Sequence, residues 1–265
     1  MSLHIKNIKL ERGLKVIIED FSLHIKQGEL VAVLGLNGTG KTTLIKATAG
    51  LLPVAYGDVF LDERPISKMK PRERAKQITY VPQQMVCDLE YTVSDFILMG
   101  ITPYLDFWQT PKKRDYAEVE KILNDLNLSH LKASRLSQIS GGERQMVYLA
   151  RALMQKTNVM LLDEPTAHLD FKRQNEFLHT LKQVKDQTNK AVLIAIHDPN
   201  LALQYADRIV VLHHKQILGV VCLTEEGDKD NKMAKKTLIK LLKKAYGEAI
   251  ELNQDIESSI LYRQK

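Results

Sequence analysis

Three short stretches of this chain carry residue types suited to holding and cleaving a phosphate chain. The first is Gly35-Leu36-Asn37-Gly38-Thr39-Gly40-Lys41-Thr42-Thr43. Triphosphate oxygens need several donors converging on a small volume. Glycines let backbone amides approach, and a helix starting just after the loop adds its positive end. In such a loop Lys41 reaches the β- and γ-phosphates and Thr42 places a hydroxyl where Mg²⁺ can be held. Thr43 and the amides of Gly38 and Gly40 complete the cradle. A glycine-rich turn can also be merely flexible. The phosphate reading requires a buried strand before the loop and a helix after it, and the sequence predicts both.

The second stretch is Val159-Met160-Leu161-Leu162-Asp163-Glu164, an apolar run ending in two adjacent carboxylates. In a parallel sheet, ligands bind outside the strand ends where such residues emerge. Asp163 suits the Mg²⁺ shell, and Glu164 can accept a proton from water attacking the γ-phosphate. An acidic pair at a strand end is common by itself and gains meaning beside the phosphate loop. The third stretch, Ile139-Ser140-Gly141-Gly142-Glu143-Arg144-Gln145, opens a predicted helix. It offers a second amide-rich, helix-capped anion site, or else a plain serine cap followed by a tight turn. The first two stretches alone define only a generic P-loop nucleotidase, a class that includes kinases, GTPases and helicases.

The elements that must position these residues follow from periodicity. Alternation over Leu3–Ile8 and Val16–Ile25 predicts antiparallel strands, and Leu30–Leu34 reads as a continuous apolar, fully buried strand. Further buried strands are expected at Ile78–Val81, Val159–Leu162, Ala191–Ile196 and Arg208–Leu212, with helices between the later ones. From about Gln84 to Thr157 the helix period takes over, in Val93–Met99, Tyr116–Leu126 and Glu143–Gln155. The expected fold is α/β: a P-loop NTPase core with a mixed, largely parallel sheet and an antiparallel β subdomain, plus an inserted α-helical subdomain. The division predicted is 1–83 and 158–220 for the core, 84–157 for the helical insertion and 221–265 for a C-terminal appendage containing an amphipathic helix at Met233–Ala245.

With 265 residues, 44% hydrophobic and 26% charged, the chain can bury a substantial core. Its apolar runs, such as Ala191–Ile196, are far shorter than the roughly 20 residues of a membrane span, so a membrane role must come through a partner. The start of the chain lacks the apolar core of a secretory signal, which argues for a cytoplasmic protein. Cys87 and Cys222 lie outside any metal-ligand spacing and read as two buried or half-buried free thiols. Much of the net charge of +6 sits among the lysines between Lys229 and Lys244, a pattern of a solvated helix face rather than of nucleic-acid binding.

Taken together, the three stretches resemble the nucleotide-binding subunit of ABC transporters, with Ser140–Gln145 resembling the family signature; the likeness spans nearly the whole chain. It implies ATP and Mg²⁺ as ligands, and that the signature of one subunit closes over ATP held by the phosphate loop of the other. One copy of each motif then implies a homodimer. Gln83 resembles the family glutamine that touches Mg²⁺ or the attacking water. Ala167-His168-Leu169-Asp170 resembles the loop that crosses the dimer interface, with Asp170 its carboxylate. His197 resembles the switch histidine that contacts the γ-phosphate and orients the water with Glu164. Each of these residues also has an ordinary structural reading. Two departures stand out: no aromatic lies in Leu10-Glu11-Arg12-Gly13 to stack on adenine, leaving the Arg12 guanidinium, and Glu143 replaces the commoner glutamine. His213 and His214 are expected to share a strand and point to opposite faces, and so not to form a metal pair.

The helical insertion narrows the cargo. Thr92–Gly100 followed by Pro103-Tyr104 is similar to subunits of importers for iron chelates, haem, cobalamin, molybdate, or zinc and manganese, and Leu241–Ile250 around Tyr246-Gly247 resembles the iron-chelate group. Iron-siderophore or haem import is the favoured expectation. Transmembrane permease subunits and an extracytoplasmic substrate-binding protein are the implied partners, and the cytoplasmic face of the membrane, contacted around Gln83–Tyr104, is the implied location. The competing readings are a non-transport ABC ATPase, which usually shows a coiled-coil insertion or tandem nucleotide domains, and a nucleotide-binding scaffold without turnover.

Overall fold

The computed structural model describes residues 2–83, 90–223, 228–247, 250–252 and 260–262. In chain order its strands and helices are β1 (Leu3–Arg12), β2 (Lys15–Ile25), β3 (Leu30–Leu34), α1 (Lys41–Thr48), β4 (Tyr56–Leu61), β5 (Arg64–Pro65), α2 (Pro71–Ala75) and β6 (Ile78–Val81). Then come α3 (Val93–Leu98), α4 (Lys113–Asp125), α5 (Gly141–Met154), β7 (Val159–Asp163), α6 (Phe171–Thr188), β8 (Ala191–Ala195) and α7 (Pro199–Tyr205). The chain closes with β9 (Arg208–His213), β10 (Gln216–Cys222), α8 (Asp228–Tyr246), β11 (Ile250–Leu252) and β12 (Ile260–Tyr262).

One 10-stranded sheet runs in the order β5-β4-β1-β2-β10-β9-β3-β8-β7-β6, and β11 pairs with β12 in a separate ribbon. From β9 to β6 neighbouring strands are parallel. On the other side, β1 lies antiparallel to both β2 and β4. The two halves join where β2 runs parallel to β10 at a single register pair, Asp20 with Gln216.

The parallel strands are apolar throughout because both of their faces are covered. Strand pleating sends Val31 and Val33 to one core, with α1 and the antiparallel strands, while Leu30, Ala32 and Leu34 enter the other. Val159 and Leu161 of β7 join the first core and Met160 and Leu162 the second. The second core is continuous with the helices between β6 and β7, through Phe96, Leu123 and Val147, and with α8 through Leu238 and Leu242. The six residues after α3, Met99–Tyr104, form a 3₁₀ turn that lies directly on α5. Gly100 permits this approach, since a Cβ there would sit 2.6 Å from the Arg151 carbonyl oxygen.

Three expectations change. β4, β5 and β10 were not visible as strands in the pattern, because polar residues and Gly57 or Gly219 interrupt their alternation. His214 is not on a strand: β9 ends at His213, and His214 turns the chain at φ +42°, which brings the two rings together with centroids 3.9 Å apart instead of on opposite faces. Cys222 is exposed rather than buried, at the end of β10 on the strand's solvent side; Cys87 lies outside the described residues. Among the described residues, no helix is long and apolar enough to cross a membrane.

Candidate nucleotide site

The phosphate loop links β3 to α1. Its turn is closed by the Leu36 carbonyl, which accepts from the Thr39 amide at 3.2 Å and the Thr39 hydroxyl at 2.8 Å. Gly40 then caps α1 at φ +101°, a conformation closed to ordinary side chains, and a Cβ would lie 2.7 Å from Ile17 Cγ2. This tight entry leaves Lys41 as the first helical residue, only 3% exposed. Its ammonium donates to the Gly35 carbonyl at 2.8 Å and the Leu36 carbonyl at 3.3 Å, and pairs with Glu164 Oε1 at 3.3 Å. Burial lowers the Lys41 pKa, while the Glu164 carboxylate opposes that shift.

Asp163 is the last residue of β7 and 2% exposed. It accepts from the Thr42 hydroxyl at 2.9 Å and the Tyr80 hydroxyl at 3.3 Å. Burial raises its pKa, and the bond from Thr42 pulls it back in part. The phenol of Tyr80 is in turn pushed far above its ordinary value by burial and by the neighbouring Asp163 charge. Glu164 leaves the strand at φ +48°, a left-handed conformation that a non-glycine residue holds only when its surroundings fix it. Its carboxylate reaches both Lys41 and His197, whose Nε2 is 2.6 Å from Oε2. His197 lies just beyond β8, with its side chain 39% exposed.

A cavity of about 660 Å³ opens over these residues. Asn37, Gly38, Gly40, Lys41, Thr42 and Thr43 form its floor, Glu164, Ala167, His197 and Gln83 one wall, and Arg12 and Ile17 the other. The volume and the cationic floor fit a nucleoside triphosphate. The paired hydroxyl and carboxylate oxygens of Thr42 and Asp163 are hard ligands of the kind Mg²⁺ takes. Sequence reasoning did not single out Tyr80 or Ile17. Tyr80 could have been found from register, because β6 pairs with β7 and brings its side chain beside Asp163; Ile17 carries no signal beyond an ordinary strand residue.

The cavity lining includes none of Ser140, Gly141, Gly142, Glu143 and Asp170. Ser140 caps α5: its Oγ accepts from the Glu143 amide at 3.3 Å, and the Glu143 carboxylate accepts from the Ser140 amide at 2.8 Å and hydroxyl at 2.6 Å. Those bonds from Ser140 hold the Glu143 pKa below the usual glutamate value. Asp170 caps α6 by accepting from the Arg173 amide at 2.9 Å. Ser140, Gly141 and Asp170 are all solvent-exposed.

The family profile described as ABC transporter matches residues 18–167. The chain belongs to the ABC transporter ATP-binding family. A Helicobacter pylori protein named as a probable iron chelatin transport ATP-binding protein is 37% identical over 218 residues, covering 82% of this chain and 86% of that one. The hemin import ATP-binding protein HmuV of Pseudomonas fluorescens is 38% identical over 211 residues, covering 78% and 81%. Among solved structures, the dimeric structure of a bacterial ABC transporter cassette superposes with a TM-score of 0.73 at 25% identity, covering 84% of this chain and 100% of that one. As an ABC cassette the chain is an ATPase. Arg12, the residue standing where an aromatic was looked for, lines the cavity together with Ile17.

Proposed function

We propose that this chain is the ATP-hydrolysing subunit of an importer for a metal chelate, of iron-siderophore or haem type, and that it works as a homodimer on the cytoplasmic face of a transmembrane permease served by an extracytoplasmic binding protein. The iron-chelate and hemin relatives support the cargo, and the dimeric cassette supports the pairing. In this reading 1–83 and 158–220 form the nucleotide core, 84–157 the helical lobe that contacts the permease through the region Gln83–Tyr104, and 221–265 a C-terminal extension.

The observation that carries the reading is the Glu164 carboxylate held between Lys41 Nζ at 3.3 Å and His197 Nε2 at 2.6 Å. Lys41 binds the β- and γ-phosphate oxygens, with the loop amides and Thr43 beside it. Thr42, Asp163 and Gln83 would hold Mg²⁺, which would supply positive charge against the β- and γ-phosphates. Glu164 takes the proton of the attacking water, and His197 fixes that carboxylate and reaches the γ-phosphate. Ser140, Gly141, Gly142 and Glu143 of one subunit close over the nucleotide of the other, and Asp170 lies at the shared interface. The exposure of Ser140, Gly141 and Asp170, and the position of all five outside the chain's own cavity, accord with that arrangement.

The test compares wild type with Glu164→Gln. Replacing the base is expected to lower Mg²⁺-dependent ATP hydrolysis by roughly 10²- to 10⁴-fold, to leave ATP able to double the mass seen by light scattering, and to abolish ferric-chelate or haem uptake in cells carrying the permease. An active variant, or no ATP-driven dimer, sinks the shared-site reading; loss of hydrolysis with uptake intact sinks the transport role.

A further inference from the structure

Phe107 and Trp108 are each 90% exposed, the most solvent-accessible aromatics of the described chain. They stand at the tip of a turn just after the 3₁₀ segment on α5, their rings packed edge to face with centroids 4.8 Å apart. Apart from that mutual contact, everything beneath them is pinned. The Arg72 guanidinium donates to the carbonyls of Pro103 at 2.9 Å and Leu105 at 2.7 Å, and to Asp106 Oδ1 at 2.8 Å. The turn closes on itself through the Gln109 amide to the Asp106 carbonyl at 2.9 Å, and the Asp106 amide to Gln109 Oε1 at 3.1 Å. Tyr104 anchors the approach by donating to the Gln155 carbonyl at 2.9 Å. The turn is thus fixed by several bonds and tipped with two large apolar rings left in solvent.

The surroundings say what covers it. Lys112, Lys113 and Arg114 follow on the exposed start of α4. The nearby carboxylates are already engaged, Asp106 with Arg72 and Asp115 with the Lys112 amide at 2.7 Å. Beside the turn, a cavity of about 370 Å³ is lined by Ile101, Leu105 and Met154 together with Lys112, Arg114, Asp115, Glu118 and Lys156, of which Lys156 pairs with Glu118 at 3.1 Å and Arg114 with Asp115 at 3.8 Å, leaving Lys112 and Lys113 as the cations turned to solvent. Exposed Trp and Phe beside long cationic side chains is the composition that settles at a bilayer surface, rings at headgroup depth and ammonium groups on phosphates.

We propose that the Asp106–Gln109 turn is a membrane-contact element: Phe107 and Trp108 enter the interfacial layer of an anionic lipid surface, and Lys112 and Lys113 bind lipid phosphates. This rests on the reading of the chain as a permease-bound subunit, which would bring the turn to the membrane by way of the adjoining Gln83–Tyr104 surface. The turn then gives the cassette a second foothold beside the permease.

Trp108 is the only tryptophan in the sequence, so its fluorescence reports this site and nothing else. Titrating the full chain with phosphatidylcholine vesicles containing phosphatidylglycerol is expected to shift its emission to the blue and to expose it to quenching by brominated lipid, with no change on pure phosphatidylcholine. The double variant Lys112→Gln/Lys113→Gln should bind those vesicles roughly 30-fold more weakly, from about 1 kcal/mol per basic side chain at an anionic surface, while keeping wild-type ATP hydrolysis. Emission unchanged by anionic vesicles at low salt would overturn the proposal. So would a blue shift that occurs only in vesicles containing the permease, which would make the turn a protein contact. Neither vesicle titration depends on cargo or turnover, so failure here is separate from failure of the importer reading.

Discussion

Asp163 is a buried carboxylate whose surroundings set its cost to stability. It is buried, its pKa is raised above the ordinary 3.8 mainly by that burial, and its hydrogen bonds from Thr42 and Tyr80 offset the effect only in part. A carboxylate whose folded pKa lies above its unfolded one binds protons better in the native state, so in the window from 3.8 up to the raised value stability falls as pH rises. Asp163→Asn keeps an acceptor for Thr42 and removes the buried charge. It is expected to raise the Tm of the nucleotide-free protein at neutral pH and to flatten the acid side of its pH–stability profile, followed by calorimetry, while cutting Mg²⁺-dependent hydrolysis by at least ~100-fold. A variant less stable than wild type at neutral pH would show that the charge is compensated. Lys41, Thr42, Asp163 and Glu164 could be picked out in the sequence because the phosphate-loop spacing and the acidic pair, each with ordinary uses alone, occur together. Tyr80 and Ile17 were not, since a tyrosine or isoleucine on a strand is ordinary until register places it against a particular neighbour.

At the scale of elements, α5 carries two jobs at one end. The reciprocal bonds between Ser140 and Glu143 satisfy the first turn, and the same residues are those proposed to meet the partner's nucleotide. Ser140→Ala should cost about 1 kcal/mol in urea unfolding, the usual worth of such a cap. If the serine also binds across the interface, Ser140→Ala combined with Glu164→Gln should lose the ATP-driven dimer altogether, a loss too large for a frayed helix end to explain; a dimer retained at wild-type ATP concentrations would reduce Ser140 to a cap. The buried strands β3, β7 and β8 could be read directly, because strands covered on both faces are apolar at every position. Strands β4 and β10 could not. Each is half exposed and carries a glycine, so its place depends on a neighbour's free edge rather than on its own pattern.

On the scale of the molecule, the two cores are laid out on opposite faces of a single sheet, and α8 closes the second of them. The amphipathic pattern of α8 told which of its faces is apolar but not which surface that face covers; the structure sets Leu238 and Leu242, both fully buried, against β9 and β10. Truncating Leu238 to alanine should therefore destabilise the nucleotide core itself by roughly 2–5 kcal/mol, read as a fall of the single unfolding transition in Tm, with hydrolysis per folded molecule unchanged. A separate early transition, leaving the main one in place, would mean that α8 unfolds on its own and that the core is complete without it.

The contact between Lys41 and Glu164 has a consequence for how nucleotide affinity is composed. The lysine that must grip phosphate already holds an anion, and the carboxylate proposed to activate water is neutralised on one side by that lysine and fixed on the other by His197. On the roles proposed, loading the site is an ion exchange: one negative partner of Lys41 leaves as another enters. Affinity is then the difference between two pairings, and a variant lacking the carboxylate is expected to grip ATP more tightly even before any effect on cleavage is counted. The same exchange would give the catalyst a safety catch, since Glu164, the proposed base, would be released only by the arrival of the substrate it helps to cleave.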